Sequence, residues 1–283
     1  MNVPYAEVIG DPVAHSKSPQ IHGFWLRKLG IDGDYRSFRV TPSALSDYLD
    51  YRRRDADWRG ASVTLPHKTE VLPLLNRLDP SAQLIGAVNL VVREGNAFVG
   101  HNSDAAGFIE PLRPLLDRSH LFRMARIIGA GGAARAVAHA LWAEGFTLVI
   151  IARDPKRAET LRSAFDPGHS YVGALADFQA PTDFAFDDRQ GILDLVVNAT
   201  PLGMLGQPPL DLDFSHVPPG ALVYDLVYVP LETRLLAEAR ARGHRTVDGL
   251  GMLIGQAAIA FEKFFGRPPP REHDAELREL LSR

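Results

Sequence analysis

The 283-residue chain contains no cysteine, which excludes disulfides, thiolate metal ligands and cysteine nucleophiles together. No apolar run approaches the length of a membrane span. No long basic run or basic amphipathic stretch appears, so neither nucleic acid nor a membrane is an expected partner. The opening Met1-Asn-Val-Pro-Tyr-Ala-Glu lacks a basic end followed by an apolar stretch and predicts no signal peptide. There is no internal repeat and no low-complexity segment. What remains is an ordinary composition, 46% hydrophobic and 23% charged with a formal net charge of −3, enough for one large or two ordinary domains. These exclusions together favour a cytoplasmic enzyme acting on a small molecule.

The most informative string present is Arg126-Ile-Ile-Gly129-Ala130-Gly131-Gly132-Ala133-Ala134, a strand-like run, a glycine loop and the start of an alanine-rich helix. Gly129 permits a tight turn, Gly131 lets backbone approach a pyrophosphate, and Ala134 is small enough for close helix–strand packing. The helix N-terminus offers free N–H groups and a positive dipole end to phosphates. The order around it is strand 126–128, helix 132–143, strand 147–151, helix 155–165 and strands near 170–173, 193–197 and 221–225, a doubly wound nucleotide domain. Residues 177–191 are acidic and irregular and read as a loop. Helices near 231–242, 249–265 and 271–282 end the chain.

Before it, strands Tyr5–Ile9, Tyr35–Val40 and Ala61–Leu65 alternate with helices Pro19–Leu29, Ser43–Arg53 and His67–Leu75. Segments 87–93 and 97–100 flank a Glu-Gly-Asn turn and form a hairpin. A helix over 105–116 leads onward. The fold class is therefore α/β, with an N-terminal α/β substrate domain and a Rossmann-type cofactor domain. The boundaries are 1–105, completed by 248–283, and 106–247.

The cofactor choice turns on the end of the second nucleotide strand, where an acid binds a ribose 2′-hydroxyl and a base favours a 2′-phosphate. Here Arg153 and Arg157 lie four apart and suit bidentate phosphate contacts. Asp154 is the competing ribose ligand, but Asp154-Pro155 is also a helix cap followed by a first-turn proline. NADP is favoured over NAD.

For the chemistry, Ser16 and Ser18 precede a helix and form a plausible carboxylate clamp, although Ser18 before Pro19 also reads as a plain N-cap. Lys68 falls in the first turn of the helix expected at His67–Leu75, where the dipole should push its pKa down and make it an acid/base. Asp104, otherwise an N-cap, is its expected carboxylate partner. Histidines 15, 22, 67 and 101 show no metal-like spacing, and no metal site is predicted.

The strings G-D-P-V-A-H-S-K-S-P at 10–19, V-T-L-P-H-K at 63–68, G-A-V-N at 86–89, N-S-D-A-A-G-F at 102–108, G-A-G-G-A-A-R at 129–135, N-A-T-P-L-G-M at 198–204, Y-D-L-V-Y at 224–228 and D-G-L-G-M-L-I-G-Q-A at 248–257 span nearly the whole chain. In this joint order they resemble the shikimate dehydrogenase family. The resemblance implies NADPH-dependent reduction of 3-dehydroshikimate to shikimate, with Lys68 and Asp104 as the catalytic pair. It implies that Ser16 and Ser18 bind the carboxylate, while Ser62 and Thr64, Asn89, Tyr228 and Gln256 line the ring pocket with Asp104. It places Thr200, Met204, Val227, Gly249 and Met252 beside the nicotinamide half of the cofactor, and a monomer or homodimer as the acting form. Three departures stand out: Ser62 where the family usually has Asn, Leu90 where Thr follows the Asn of G-A-V-N, and Ala152 where Asn is common. His22-Gly23 also replaces a frequent His-Asn. The first two departures leave open a related substrate such as quinate. A nucleotide-binding sensor without turnover is the reading from another class.

Overall fold

A computed structural model describes residues 3–165 and 168–282. The chain divides into two compact units, one formed by residues up to Gly107 together with those from Leu253 on, the other by Phe108–Met252.

In the first unit, strand β1 (Tyr5–Gly10) leads to helix α1 (Ser18–Leu29), β2 (Asp34–Arg39), α2 (Leu45–Arg53) and β3 (Trp58–Val63). The short β4 (Arg77–Leu78), α3 (Pro80–Ile85) and the hairpin β5 (Leu90–Glu94) and β6 (Ala97–His101) follow. The six strands form one mixed sheet in the order β2-β1-β3-β5-β6-β4. β1 pairs in parallel with both β2 and β3, whereas β5 runs antiparallel to β3 and β6. All six residues of β1 are buried, as expected of a strand covered on both faces. One face carries Ala6, Val8, Tyr35, Leu90 and Val92 against Ala260 and Phe264. The other carries Tyr5, Ile9, Ala61 and Val63 against Leu45, Tyr48 and Leu49 of α2. The buried carboxylate of Glu7 is an exception to this apolar interior. It takes both Arg52 Nε (2.6 Å) and Nη2 (2.9 Å), with Tyr48 Oη and Trp58 Nε1 donating at 2.6 and 2.7 Å, so every part of the charge is compensated.

Helices α4 (Asp104–Ile109) and α5 (Arg113–Leu116) carry the chain on. The second unit runs β7 (Phe122–Ile128), α6 (Gly132–Ala143), β8 (Thr147–Ala152), α7 (Pro155–Phe165), β9 (Ser170–Ala174), β10 (Ile192–Asn198), β11 (Leu222–Asp225), α8 (Arg234–Ala241) and β12 (Arg245–Val247). Its strands are parallel in the order β12-β11-β10-β7-β8-β9, the doubly wound arrangement whose order reverses between β7 and β10. α6 lays Ala134, Ala136, Val137, Ala138, Ala140 and Leu141 into the core, small residues that let helix and sheet approach closely. α9 (Gly249–Phe265) begins in this unit and ends in the first, which α10 (Asp274–Ser282) completes.

Several expectations need correction. No α-helix spans 67–75: the segment is a series of turns ending in a 3-10 turn at Leu72–Leu74. Pro73 has no N–H to continue a helical ladder, and after Val71 N–H reaches His67 O, Leu74 N–H bonds only as far back as Val71 O. The helix expected over 105–116 is interrupted by a 3-10 turn at Glu110–Leu112, where Pro111 and Pro114 each remove a donor. β3 starts at Trp58 and stops at Val63, so both its ends fall earlier than the expected 61–65. β4, α3 and β12 have no counterpart in the sequence reading.

Candidate active site

Within the first unit, the two loops bearing the expected substrate residues are stitched together by backbone. A Cβ on Gly10 would lie 2.4 Å from Thr64 Cγ2 and 2.8 Å from Leu65 O, so only glycine permits this approach. Asp11 N–H donates to Leu65 O at 2.9 Å, and Thr64 N–H to Ile9 O at 2.9 Å. Ser18 is not the N-cap of α1. It is the first helical residue, and Lys17 holds the cap position without a side-chain cap bond. The first-turn N–H groups therefore lack that partner. Ser16 Oγ accepts the Ser18 N–H at 3.3 Å, and Lys17 Nζ donates to the Leu281 carbonyl near the end of α10.

Lys68 and Asp104 do meet. Lys68 Nζ lies 2.5 Å from Asp104 Oδ2, with side chains 14% and 5% exposed. Because 67–75 is not an α-helix, the macrodipole reasoning for Lys68 loses its premise, and the ion pair itself positions the ammonium. Nor does Asp104 cap α4, since Asn102 Oδ1 accepts the Asp104 N–H at 3.0 Å. That frees the carboxylate. Its second oxygen, Oδ1, accepts Asn89 Nδ2 at 2.9 Å. Asn89 Nδ2 also approaches Ser103 Oγ (2.9 Å) and Gln256 Oε1 (3.3 Å), while Asn89 Oδ1 accepts Ser103 N–H at 2.8 Å. Two amide hydrogens face three acceptors, so Asn89 is already engaged in holding Asp104, Ser103 and Gln256. Ser103 and Asn102 were visible in the quoted strings but had no assigned role.

Ser62, on β3, is 7% exposed. Its Oγ accepts the Tyr35 phenol at 2.7 Å, and its cross-strand partner on β5 is Leu90. The two departures from the family pattern are thus one pair of facing residues. Leu90 is fully buried in the cluster with Tyr35 and Phe264. The Tyr35 partnership had no sequence signal, because a tyrosine in a strand 27 residues away reads as core.

The histidines near these loops are structural or exposed. His67 Nε2 lies 2.7 Å from Val40 O, and His101 Nδ1 lies 2.5 Å from Asp79 Oδ2. His22 is wholly buried with neither ring nitrogen partnered, and burial pushes its pKa down to about 3.

In the second unit, Gly129 has φ +125°, and a Cβ there would meet Ala199 O at 2.9 Å. Gly131 has nothing within 4 Å of where a Cβ would stand, and it caps α6 with no side-chain bond. The first N–H groups of this 12-residue helix are accordingly presented past an unobstructed glycine, a cradle suited to pyrophosphate. Ala130, Gly132 and Ala133 complete the loop. Arg153 and Arg157 are exposed at the start of α7. Asp154 is committed locally: Oδ1 accepts Lys156 N–H at 3.0 Å, and its carbonyl accepts Arg157 N–H at 3.1 Å. The cap reading of Asp154 is the observed one.

Thr200 and Met204 follow β10, and Val227 and Tyr228 follow β11, at the carboxyl ends of their strands. Asn198 and Asp225 lock these segments. Asn198 Oδ1 accepts Thr200 N–H and Oγ1–H at 3.0 and 2.7 Å, while its Nδ2 donates to Asp225 Oδ1 at 2.9 Å. Asp225 also takes Val227 N–H at 3.0 Å and Thr233 Oγ1–H at 2.6 Å. Burial nevertheless drives its pKa up to about 6. Gly249 is required where it stands, since a Cβ would fall 2.1 Å from Leu226 O. Met252 is buried one turn further along α9.

Residues 8–91 match the model of the shikimate dehydrogenase substrate binding domain, and residues 249–276 that of the shikimate 5′-dehydrogenase C-terminal domain. A shikimate dehydrogenase (NADP(+)) of Sphingopyxis alaskensis is 50% identical over 98% of this chain and 97% of its own. Shikimate 5-dehydrogenase of Thermus thermophilus, solved in complex with NADP(H) and shikimate, superposes with a TM-score of 0.82 at 35% identity, covering 98% of this chain and 99% of that one. Quinate dehydrogenase of Corynebacterium glutamicum, solved with NAD, has a TM-score of 0.82 at 30% identity, covering 98% and 99%.

Proposed function

The chain belongs to the shikimate dehydrogenase family, and from that membership we propose that it catalyses the reversible NADPH-dependent reduction of 3-dehydroshikimate to shikimate. The observation that carries the reading is the Lys68–Asp104 pair, 2.5 Å apart and braced by Asn89 on the opposite carboxylate oxygen. A protein that only sensed nucleotides would have no use for a positioned ammonium of this kind.

The unit completed by α9 and α10 takes the cyclic acid, and the unit of α6 takes the cofactor. Ser16 and Ser18 bind the substrate carboxylate beside the uncapped start of α1. Ser62, Thr64 and Gln256 contact the ring and its hydroxyls. The cofactor seat rests on features suited to a dinucleotide: the uncapped α6, the bare Gly131 and the cradle at Gly129. Asp154 Oδ1 is bonded to the start of its own helix, and Arg153 and Arg157 suit a 2′-phosphate. Thr200, Met204, Val227, Gly249 and Met252 flank the nicotinamide half.

NADPH, when bound, supplies the hydride. As the substrate carbonyl is reduced, negative charge grows on its oxygen, and the Lys68 ammonium stabilises that charge and delivers the proton. Asp104 aims Lys68 through Oδ2. Asn89 fixes the carboxylate plane through Oδ1, so little reorganisation accompanies proton transfer. The enzyme works in the cytoplasm as a monomer or homodimer.

A quinate dehydrogenase, left open by Ser62 in place of the family's Asn, is the competing reading, and the 50%-identical relative does not favour it. Steady-state oxidation of shikimate and quinate with NADP⁺ and NAD⁺ separates the two. Shikimate with NADP⁺ is expected to give the highest kcat/KM. Turnover confined to quinate and NAD⁺ would overturn the assignment.

A further inference from the structure

We propose that Tyr35 is a specificity-determining positioning residue, acting through Ser62 on a ring hydroxyl of the substrate; the inference rests on the shikimate reading above. Tyr35 sits on β2 and Ser62 on β3, with β1 between them. In the sheet register Ala6 of β1 faces Tyr35, and Val8 faces Ser62. Side chains two residues apart along these strands share a face, so the phenol crosses β1 above Ala6 and Val8 to reach Ser62. The small Ala6 leaves room for that crossing.

The ring is held rigidly. His22 of α1 stacks on it at 3.9 Å and 1° between planes, and Phe264 of α9 lies 6.2 Å away at 50°. Burial raises the Tyr35 pKa above the ordinary phenol value, which keeps the proton on Oη. Tyr35 Oη donates to Ser62 Oγ at 2.7 Å.

The polarity of this chain decides what Ser62 does. A serine hydroxyl has one hydrogen and two lone pairs. One lone pair is taken by Tyr35. The residue facing Ser62 across the strand pair is Leu90, whose side chain accepts nothing. The Ser62 hydrogen is left to be donated to a ligand oxygen, and the Tyr35 bond fixes the direction in which it points. Ser62 on Tyr35 is thus a two-residue donor standing where the family resemblance leads one to expect a single longer Asn.

The test uses the full-length enzyme with shikimate and NADP⁺. Tyr35→Phe keeps the stacked ring and removes the donor. It is expected to raise KM for shikimate about tenfold, with the KM for NADP⁺ unchanged and kcat lowered less than KM is raised. Ser62→Ala should produce a similar rise, and the double variant should be no worse than either alone, because both remove one donor. Ser62→Asn combined with Tyr35→Phe, where the phenol oxygen no longer occupies the space, should bring KM back toward wild type. A purely structural role would instead shift the melting temperature and leave the shikimate and NADP⁺ constants moving together. A Tyr35→Phe KM within about twofold of wild type, or independent multiplying effects of the two single variants, overturns the proposal while wild-type turnover keeps the functional reading intact. A wild type that neither oxidises nor binds shikimate overturns both.

Discussion

Acid should destabilise the first unit through His22, and the size of the effect follows from its surroundings. The ring is fully buried, neither nitrogen has a partner, and burial pushes its pKa from 6.5 to about 3. An imidazolium there would be an unpaired charge in an aromatic box of Tyr35, Trp25 and Phe261, which is strongly unfavourable. The sign is fixed by comparing states. Above pH 6.5 His22 is neutral whether folded or unfolded and contributes no pH dependence. As pH falls below 6.5 the unfolded chain takes up a proton that the folded chain refuses, so stability is lost until pH reaches about 3. The full loss is about 5 kcal/mol, and about 2 kcal/mol is already gone at about pH 5. Against a total stability on the order of 5–15 kcal/mol for a domain, that is decisive. His22→Phe keeps the stacking plate for Tyr35 and removes the titration. Urea unfolding followed by the fluorescence of Trp25, whose ring lies 5.8 Å from His22, should show the variant gaining about 2 kcal/mol over wild type between pH 8 and pH 5. An unchanged difference across that range refutes the reasoning.

Asp225 should act in the opposite direction in the second unit. Its folded pKa of about 6 stands above the ordinary 3.8, so its contribution is fully present below 3.8 and is lost as pH rises through about 6. The loss is about 3 kcal/mol and should vanish in Asp225→Asn, as measured by unfolding at pH 4 and pH 8. Lys68→Met should lower kcat by about 10²–10⁴, with a much smaller change in shikimate binding measured by calorimetry; a kcat within about tenfold of wild type would remove Lys68 from the chemistry. Arg153→Ala with Arg157→Ala should raise KM for NADP⁺ by at least about tenfold and leave NAD⁺ kinetics unaffected. Equal losses with both cofactors would show that the pair does not read the 2′-phosphate.

The cofactor half was more legible in the sequence than the substrate half. Helices 132–143 and 155–165 have the observed bounds because the glycine loop before the first and Asp154-Pro155 at the start of the second mark where they open. The 67–75 segment failed because its apolar spacing resembled a helix, while Pro73 cannot continue a helical ladder. α3 had its signals in view: Asp79 caps it, Pro80 opens it and Gly86 ends it at φ 67°. At six residues it made no periodic pattern. β4 and β12, of two and three residues, exist only because a neighbouring strand pairs with them. The Lys68–Asp104 pair could be anticipated from residue type and position, although the dipole argument attached to Lys68 was wrong. Tyr35 with Ser62, and Ser62 opposite Leu90, could not be anticipated, because strand register is fixed by the packed sheet and not by local sequence.

The first unit is built from the two ends of the chain, and this bears on how the protein is made. Ala260 and Phe264 cover one face of its sheet, and a Cβ on Gly60 would sit 2.5 Å from the Phe264 ring, so that aromatic has a place reserved for it by residue 60. A ribosome delivers β1 to β6 long before it delivers α9. Through the whole synthesis of the second unit, the first has an apolar sheet face that still lacks α9. The nascent chain must keep that surface from self-associating until the last few dozen residues emerge. A stop codon shortly before Ala260 would therefore do more than trim a tail. It would leave a sheet that cannot close, and Tyr35 without one wall of the box that aims it.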